Sequence, residues 1–130
     1  MGIQYSFRRY EKKYFLSPCQ QEQLLQRIAP YMKEDAFGSY TICNIYYDTP
    51  DWRLIRASLE KPAYKEKLRV RSYGVPTETD RVFVELKKKF DGVVYKRRIT
   101  TEVPQVEPLL CGSTEAKCQI GREIQWFQRQ

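Results

Sequence analysis

Basic side chains recur at every second position in one short stretch of the chain. The residues with this spacing are Lys65, Lys67, Arg69 and Arg71. Successive side chains of a β-strand point to opposite faces, so this spacing predicts a strand with one basic face. Arginine forks and lysine ammonium groups are the usual protein partners of phosphate oxygens. The pattern therefore indicates a strand that binds an anion.

Three other segments alternate in the same way, and their charged faces contain few acids. The residues expected on these faces include Glu11, Lys13, Glu85, Lys87, Lys96 and Arg98. Like charges that face each other across strands repel by roughly 0.2–1 kcal/mol per pair. A bound polyanion would relieve this repulsion. The alternative interpretation is a one-sided sheet whose charged face is simply solvated.

The charge distribution also favours an anionic partner. The 130 residues contain 23 basic and 16 acidic side chains, a net charge of +7. Residues 61–98 contain 12 of the basic and 5 of the acidic side chains, so the whole excess lies in this segment. A field concentrated in this way is typical of proteins that bind nucleic acid, an acidic membrane face or a phosphorylated small molecule.

Several classes of site are excluded by what the sequence lacks. The chain has no histidine, which removes histidine triads, histidine bases and histidine metal ligands. Its four cysteines form no C-x-x-C pair, and no glycine-rich phosphate loop is present. Neither a signal peptide nor an apolar run long enough to span a membrane is visible. We therefore expect a cytoplasmic protein with reduced thiols and no membrane span.

The elements that must position the charged residues can be predicted from pattern. A long strand is predicted at 5–16, and a helix follows it to about residue 31, with Ser17 as its N-cap and an inward apolar face formed by Leu24, Leu25 and Ile28. A strand is predicted at 41–47, with Tyr46 and Tyr47 in the core. Asp48 should satisfy the amides of the next turn, and Thr49 should cap a short helix that ends near residue 59.

The second half of the chain predicts three strands and a helix. The strands are expected at 63–73, 81–89 and 93–103, and Asp91-Gly92 has the composition of a tight hairpin turn. An amphipathic helix is expected at 119–130, with Trp126 and Phe127 on its packing face. These elements predict a single α+β domain over residues 1–130, built on an antiparallel sheet with flanking helices.

Five segments also match a known family in the order in which the family has them. They are RYEKKY at 9–14, NIYYDTPD at 44–51, KLRVRSYG at 67–74, VFVELK at 82–87 and VVYKRR at 93–98. On these segments the chain resembles the VTC domain, the polyphosphate polymerase relative within the CYTH or triphosphate tunnel metalloenzyme superfamily. The resemblance covers most of residues 8–100.

This resemblance implies a fold and an activity. Members of the superfamily have a tunnel of eight antiparallel strands, lined by basic residues that bind triphosphate or polyphosphate, with Mg²⁺ or Mn²⁺ on inward carboxylates. VTC-type enzymes transfer the γ-phosphoryl group of ATP to polyphosphate, whereas relatives hydrolyse triphosphate or cyclise ATP. The chain would form only part of this β-barrel. We therefore expect the C-terminal half of the tunnel to be absent and activity of the chain alone to be uncertain.

The family motifs also assign site residues. The implied phosphate-binding residues are Lys13, Arg69, Arg71, Lys87, Lys96 and Arg98, and the implied metal ligands are Glu11 and Glu85. For Glu85 the alternative role is a salt-bridge spacer between arginines. Arg9 replaces the first glutamate of the superfamily's first-strand motif, which leaves Glu11 as its only carboxylate. The expected partners are ATP, triphosphate or polyphosphate, with a homodimer as one way to close the sheet. The alternative function is a non-catalytic module that binds polyanions or nucleic acid.

Overall fold

The computed structural model describes the backbone of residues 6–130 and the side chains of residues 10–130. Five strands are present in this part of the chain: β1 (Ser6–Tyr10), β2 (Ile42–Tyr47), β3 (Tyr64–Tyr73), β4 (Arg81–Phe90) and β5 (Val93–Glu102). The helices are α1 (Pro18–Ile28), α2 (Arg53–Leu59), α3 (Val106–Cys111) and α4 (Gln119–Gln128), and a 3₁₀ turn at Val103–Gln105 precedes α3. The predicted α+β class is confirmed.

The strands form one antiparallel sheet in the order β1-β5-β4-β3-β2. The turn between β4 and β5 consists of Asp91 and Gly92, and both have the positive φ angles (44° and 81°) that tight hairpins require. Within residues 6–130, β1 and β2 are the two edges of the sheet and do not pair with each other. The sheet is therefore open over this range, and the implied barrel is not confirmed.

The hydrophobic core lies on one face of the sheet. Alternate residues of the two central strands are buried there: Leu68 and Val70 of β3, and Val82, Val84 and Leu86 of β4. Val106 and Leu110 of α3 and Ile124 of α4 pack against them. The opposite face carries the alternating charged residues of the same strands, as the alternation predicts.

The first strand is shorter than its pattern indicates. A strand was expected over residues 5–16, but β1 ends at Tyr10, and residue 5 lies outside the described residues. Tyr10 pairs with Val93, the first residue of β5, and Gly92 before it belongs to the turn. The chain therefore has no neighbouring strand to pair with beyond Tyr10.

Helix α1 begins as predicted but does not pack as predicted. Gln20 N–H donates to Ser17 Oγ at 3.3 Å, and Ser17 N–H donates to Gln20 Oε1 at 2.9 Å, which completes the capping box. The helix ends at Ile28, before the expected residue 31, and contains no buried residue. The prediction that Leu24 and Leu25 point inward is wrong, since they are 45% and 55% exposed.

Asp48 has the structural role that the sequence predicts, and it also caps a helix. Its carboxylate accepts the backbone N–H groups of Leu54 and Ile55 at 2.8 and 2.9 Å. Thr49 Oγ1 accepts the N–H of Arg53 at 2.9 Å, although the N-cap position itself is Trp52. The predicted cap at Thr49 is therefore shared with Asp48, and α2 begins at Arg53.

The C-terminal part of the described chain supplies the cover of the core. Helix α3 was not predicted, and it packs with α4 against the apolar face. On α4, Ile124 is fully buried and Phe127 partly buried, but Trp126 is 61% exposed, so its predicted place in the packing face is wrong. All four cysteines are free thiols. Among residues 6–130, no helix is long and apolar enough to cross a membrane.

Candidate functional site

The register of the sheet arranges the charged residues in rows across the central strands. Glu85 of β4 lies directly between Arg69 of β3 and Arg98 of β5. The adjacent row contains the lysines Lys67, Lys87 and Lys96. Arg71 lies on the same face, one row further along β3. All the predicted phosphate-binding residues except Lys13 therefore lie on one face of β3, β4 and β5.

A buried carboxylate forms the centre of this face. Glu85 is 0% exposed, its Oε2 accepts Arg69 Nε at 2.5 Å, and its Oε1 accepts Arg98 Nε at 2.7 Å. Lys96 Nζ lies 3.7 Å from Oε1. One negative charge is therefore surrounded by three positive charges. A buried arrangement of this kind is stable only when its hydrogen bonds are satisfied, as they are here.

Glu85 is ionised in this environment. Burial by itself would raise the pKa of a glutamate, because it penalises the charged form. The hydrogen bonds and positive charges of Arg69 and Arg98 outweigh burial, so the pKa of Glu85 is lowered. The three cations and the one anion leave a local excess of positive charge.

Aromatic and amide side chains orient the arginines further. The guanidinium carbon of Arg98 lies 4.4 Å from the centre of the Phe83 ring. Arg69 Nη1 donates to Tyr46 Oη at 3.2 Å, and Arg71 Nε donates to Asn44 Oδ1 at 2.9 Å. The guanidinium groups are thus held in position without a ligand, which reduces the entropy that binding would cost.

Residues that follow β1 reach the same face although they are not part of the strand. Glu11 Oε1 lies 3.3 Å from Lys87 Nζ and 3.6 Å from Lys13 Nζ. Glu11 and Lys87 are about one-quarter exposed, and Lys13 is largely exposed. Glu11 and Lys13 therefore reach the basic face through side-chain contacts rather than through strand pairing.

Most of these side chains surround a cavity of about 310 Å³, called here the basic cavity. It is lined by six basic residues, namely Lys13, Lys65, Lys67, Arg69, Lys87 and Lys89, and by Glu11, Tyr46 and Val94. An adjoining cavity of about 190 Å³ is also lined by Arg71 and Lys96. Arg98 lines neither cavity and contacts Glu85 instead.

Tyr46 lines the basic cavity, so its predicted place in the core is wrong. It was expected in the core, but it is 55% exposed and pairs with Arg69 on the charged side of the sheet. Its neighbour Tyr47 points to the other face and packs against the core. The alternation of β2 separates the two tyrosines, but only its register with β3 shows which one faces the cavity.

The two predicted metal ligands differ in what their carboxylates contact. Both oxygens of Glu85 accept hydrogen bonds from arginines, whereas Glu11 lies at the cavity between two lysines. Among the described residues, no group of three or more acidic or cysteine side chains is placed to hold a metal ion. These residues do not by themselves fit a resident Mg²⁺ or Mn²⁺, and the ligand roles of Glu11 and Glu85 stay predictions.

Comparisons with known proteins agree with the motif analysis. A search of the curated proteins found no match. The family model of the VTC domain matches residues 8–129. This range contains helices α1 to α4, strands β2 to β5 and all of β1 except Ser6 and Phe7. On this match the chain belongs to the VTC domain family.

Proposed function

We propose that the basic cavity binds a linear chain of phosphates, either polyphosphate or the triphosphate of ATP, as part of phosphoryl transfer of the polyphosphate polymerase type. Membership of the VTC family supports this function. The observation that carries the proposal is the composition of the cavity, in which six basic side chains and one acidic side chain line about 310 Å³. Such an excess of positive charge favours a ligand with several negative charges.

The arrangement of the cations favours an extended anion over a compact one. Lys65, Lys67, Arg69 and Arg71 follow one another at every second position of β3. Alternate residues of a strand are about 6.6 Å apart, so the four cations extend over about 20 Å. A single phosphate would contact one or two rows, whereas a linear polyphosphate contacts all of them. A triphosphate is shorter and would contact only some of these four cations.

These residues suit phosphoryl transfer because that reaction depends mainly on positioning and on neutralisation of charge. In the proposal, Lys13, Lys87 and Lys96 bind phosphate oxygens as point charges, and Arg69, Arg71 and Arg98 orient and neutralise the chain. The VTC family is associated with metal-dependent transfer, and a divalent ion bound with the phosphates would neutralise further charge. The described residues themselves bind and orient the anion.

Completion of the tunnel belongs to the same proposal. The edge strands β1 and β2 are where additional strands would extend the sheet around the anion. A second copy of the chain, paired along one of these edges, is one source of such strands. Light scattering at increasing protein concentration tests this arrangement, and a strictly monomeric protein would contradict it.

Nucleic acid is a less suitable ligand for this face. Proteins that bind single-stranded nucleic acids combine a basic groove with exposed aromatic rings on which the bases stack. The ring of Phe83 is covered by the guanidinium group of Arg98 and packs edge-on against Tyr73. The basic face therefore does not present Phe83 as a stacking platform. Tyr46 is exposed on the same face, so the titration with DNA measures whether bases stack there.

The test is calorimetric titration with tripolyphosphate, with and without Mn²⁺, and with single-stranded DNA of the same phosphate count as a control. Lys87 and Lys88 offer a matched pair, because each forms an ion pair with a glutamate but they point to opposite faces of β4. Lys87→Ala should weaken tripolyphosphate binding about tenfold, as expected for one charged hydrogen bond. Lys88→Ala should leave the affinity within about twofold of the wild type.

The outcomes separate the candidate functions. Selective tripolyphosphate binding that depends on Lys87 supports the proposal, and ATP turnover that requires Mn²⁺ or Mg²⁺ would add the transfer activity. Binding without turnover would identify a non-catalytic polyphosphate module. Equal binding of tripolyphosphate and DNA, or an equal effect of the two lysine substitutions, would contradict a specific site on the basic face.

A further inference from the structure

Tyr46 is placed in the wall of the basic cavity by the edge strand β2. It pairs directly with Arg69, and the residue is 55% exposed. Its ring lies near two cations of the cavity, with Lys67 Nζ 5.9 Å and the guanidinium carbon of Arg69 6.0 Å from the ring centre. The tyrosine is thus accessible to an anion that occupies the cavity.

The hydroxyl of Tyr46 is oriented by its hydrogen bond with Arg69. Arg69 Nη1 donates to Tyr46 Oη at 3.2 Å, so the phenolic oxygen already acts as an acceptor. A phenol also carries one proton that it can donate. Among residues 10–130, no side chain or carbonyl group accepts this proton. With respect to these residues, the proton can be donated to a ligand.

The electrostatic environment makes this hydroxyl a stronger donor than an ordinary tyrosine. Burial alone would raise the pKa of Tyr46, since it penalises the phenolate. The hydrogen bond from Arg69 and the charges of Lys67 and Arg71 outweigh burial, so the pKa is lowered. The same charges that polarise the O–H group would also attract the anion to it.

We propose that the Tyr46 hydroxyl donates a hydrogen bond to a non-bridging phosphate oxygen of the bound polyphosphate or triphosphate, between the positions of Lys67 and Arg69. The inference rests on the proposed function and adds a neutral hydrogen-bond donor to a site whose other predicted phosphate contacts are cations. Arg69 then has two roles toward the anion. It neutralises charge directly, and it fixes the direction in which Tyr46 donates. Tyr46 is a binding residue in this proposal.

The test compares Tyr46→Phe with Tyr47→Phe in titrations with tripolyphosphate. Both substitutions remove one hydroxyl from adjacent residues of β2 and keep the ring. The Tyr47 hydroxyl donates to Glu107 at 3.0 Å on the other side of the sheet, away from the cavity. Tyr46→Phe should weaken tripolyphosphate binding about tenfold, as for a hydrogen bond to a charged group. Tyr47→Phe should leave the affinity within about twofold of the wild type.

A second measurement uses the unmodified protein and does not depend on how the variants fold. Ultraviolet absorbance follows tyrosine ionisation, and a bound anion opposes formation of a nearby phenolate. Tripolyphosphate should therefore shift the earliest tyrosine ionisation of the wild type to higher pH. Sodium sulfate at the same ionic strength should not cause this shift, because a compact anion spans less of the site.

Each result bears on a definite claim. Wild-type binding together with equal affinity of Tyr46→Phe, or an unshifted tyrosine titration, would overturn the role of Tyr46 and leave the proposed function intact. A wild-type protein that does not bind tripolyphosphate would overturn the proposed function and this inference with it. A selective loss in Tyr46→Phe, accompanied by the shifted titration, would establish the contact.

Discussion

Arg69 and Glu85 face each other across β3 and β4, and Arg69 Nε donates to Glu85 Oε2 at 2.5 Å. Glu85 is fully buried at this point, although it lies on the charged face of the sheet. Its other oxygen accepts a hydrogen bond from Arg98 Nε of β5, on the opposite side of β4. The carboxylate therefore acts as an internal counterion that holds two arginines in place before any phosphate binds.

Removal of this charge should destabilise the fold. Glu85→Gln leaves Arg69 and Arg98 without their anionic partner, and loss of one member of a buried ion pair costs about 3 kcal/mol or more. Urea unfolding measures the difference as a lower midpoint. The matched control is Glu66→Gln, since Glu66 pairs with the more exposed Lys88 and should change stability by less than about 1 kcal/mol. Equal midpoints for the two variants would contradict the role of Glu85.

The lowered pKa of Glu85 also predicts how stability depends on acid. Burial opposes ionisation, but the hydrogen bonds and charges of Arg69 and Arg98 prevail, so the folded pKa lies below the unfolded value of about 4.3. The resulting stability is fully present above the unfolded value and is lost as the pH falls through the folded value. As the pH is lowered below about 4, the midpoint temperature of thermal unfolding should therefore fall less steeply for Glu85→Gln than for the wild type. Parallel curves would exclude this contribution.

The charged face could be predicted from the sequence because a strand repeats with a period of two. Alternation alone placed Lys67 and Arg69 opposite Leu68, and Leu68 is indeed buried. For Glu85, alternation predicts the face of the sheet but not the contacts of the carboxylate. The sequence left a metal ligand and a spacer between arginines as alternatives. Cross-strand register is a tertiary property, and it places Glu85 between Arg69 and Arg98.

Other features depended on partners that local pattern does not specify. The spacing of Leu24 and Leu25 predicts an apolar side of α1 but not what it packs against, and both remain exposed. The end of β1 is set by the turn of a distant hairpin, not by its own residues. Helix α3 has six residues, which are too few to show a helical period. Periodicity therefore indicated the sheet faces better than the helix contacts.

The attachment of α4 to the sheet should depend strongly on the buried side chain of Ile124. Ile124 is 0% exposed and packs among the core residues of β3, β4 and α3. Ile124→Ala should lower the free energy of unfolding by about 3 kcal/mol, because it removes buried methylene groups and leaves a cavity. Trp126→Ala on the same helix should cost less than about 1 kcal/mol, since Trp126 is 61% exposed. A larger loss for Trp126→Ala would indicate that its surface is buried in an assembly.

Binding of the anion should be coupled to proton uptake at Lys65. Partial burial, together with the charges of Lys89, Lys67 and other nearby lysines, lowers the pKa of Lys65 below its usual value. A bound polyphosphate favours the charged ammonium form of Lys65, so binding should raise the pKa of Lys65. Lys65 should therefore take up protons on binding when the pH is close to its pKa in the free protein. Relative to a variant that keeps a fixed positive charge at residue 65, the affinity of the wild type should therefore decrease as the pH rises from 7 toward about 10.

Calorimetry in two buffers with different ionisation enthalpies measures this proton uptake directly. Lys65→Arg provides the control, because arginine keeps the positive charge but does not deprotonate in this range. The variant should bind tripolyphosphate with an affinity within about threefold of the wild type and take up fewer protons at alkaline pH. Its affinity should also depend less on pH. Identical proton uptake by the wild type and Lys65→Arg would assign the coupling to another group and contradict a contact between Lys65 and the bound phosphates.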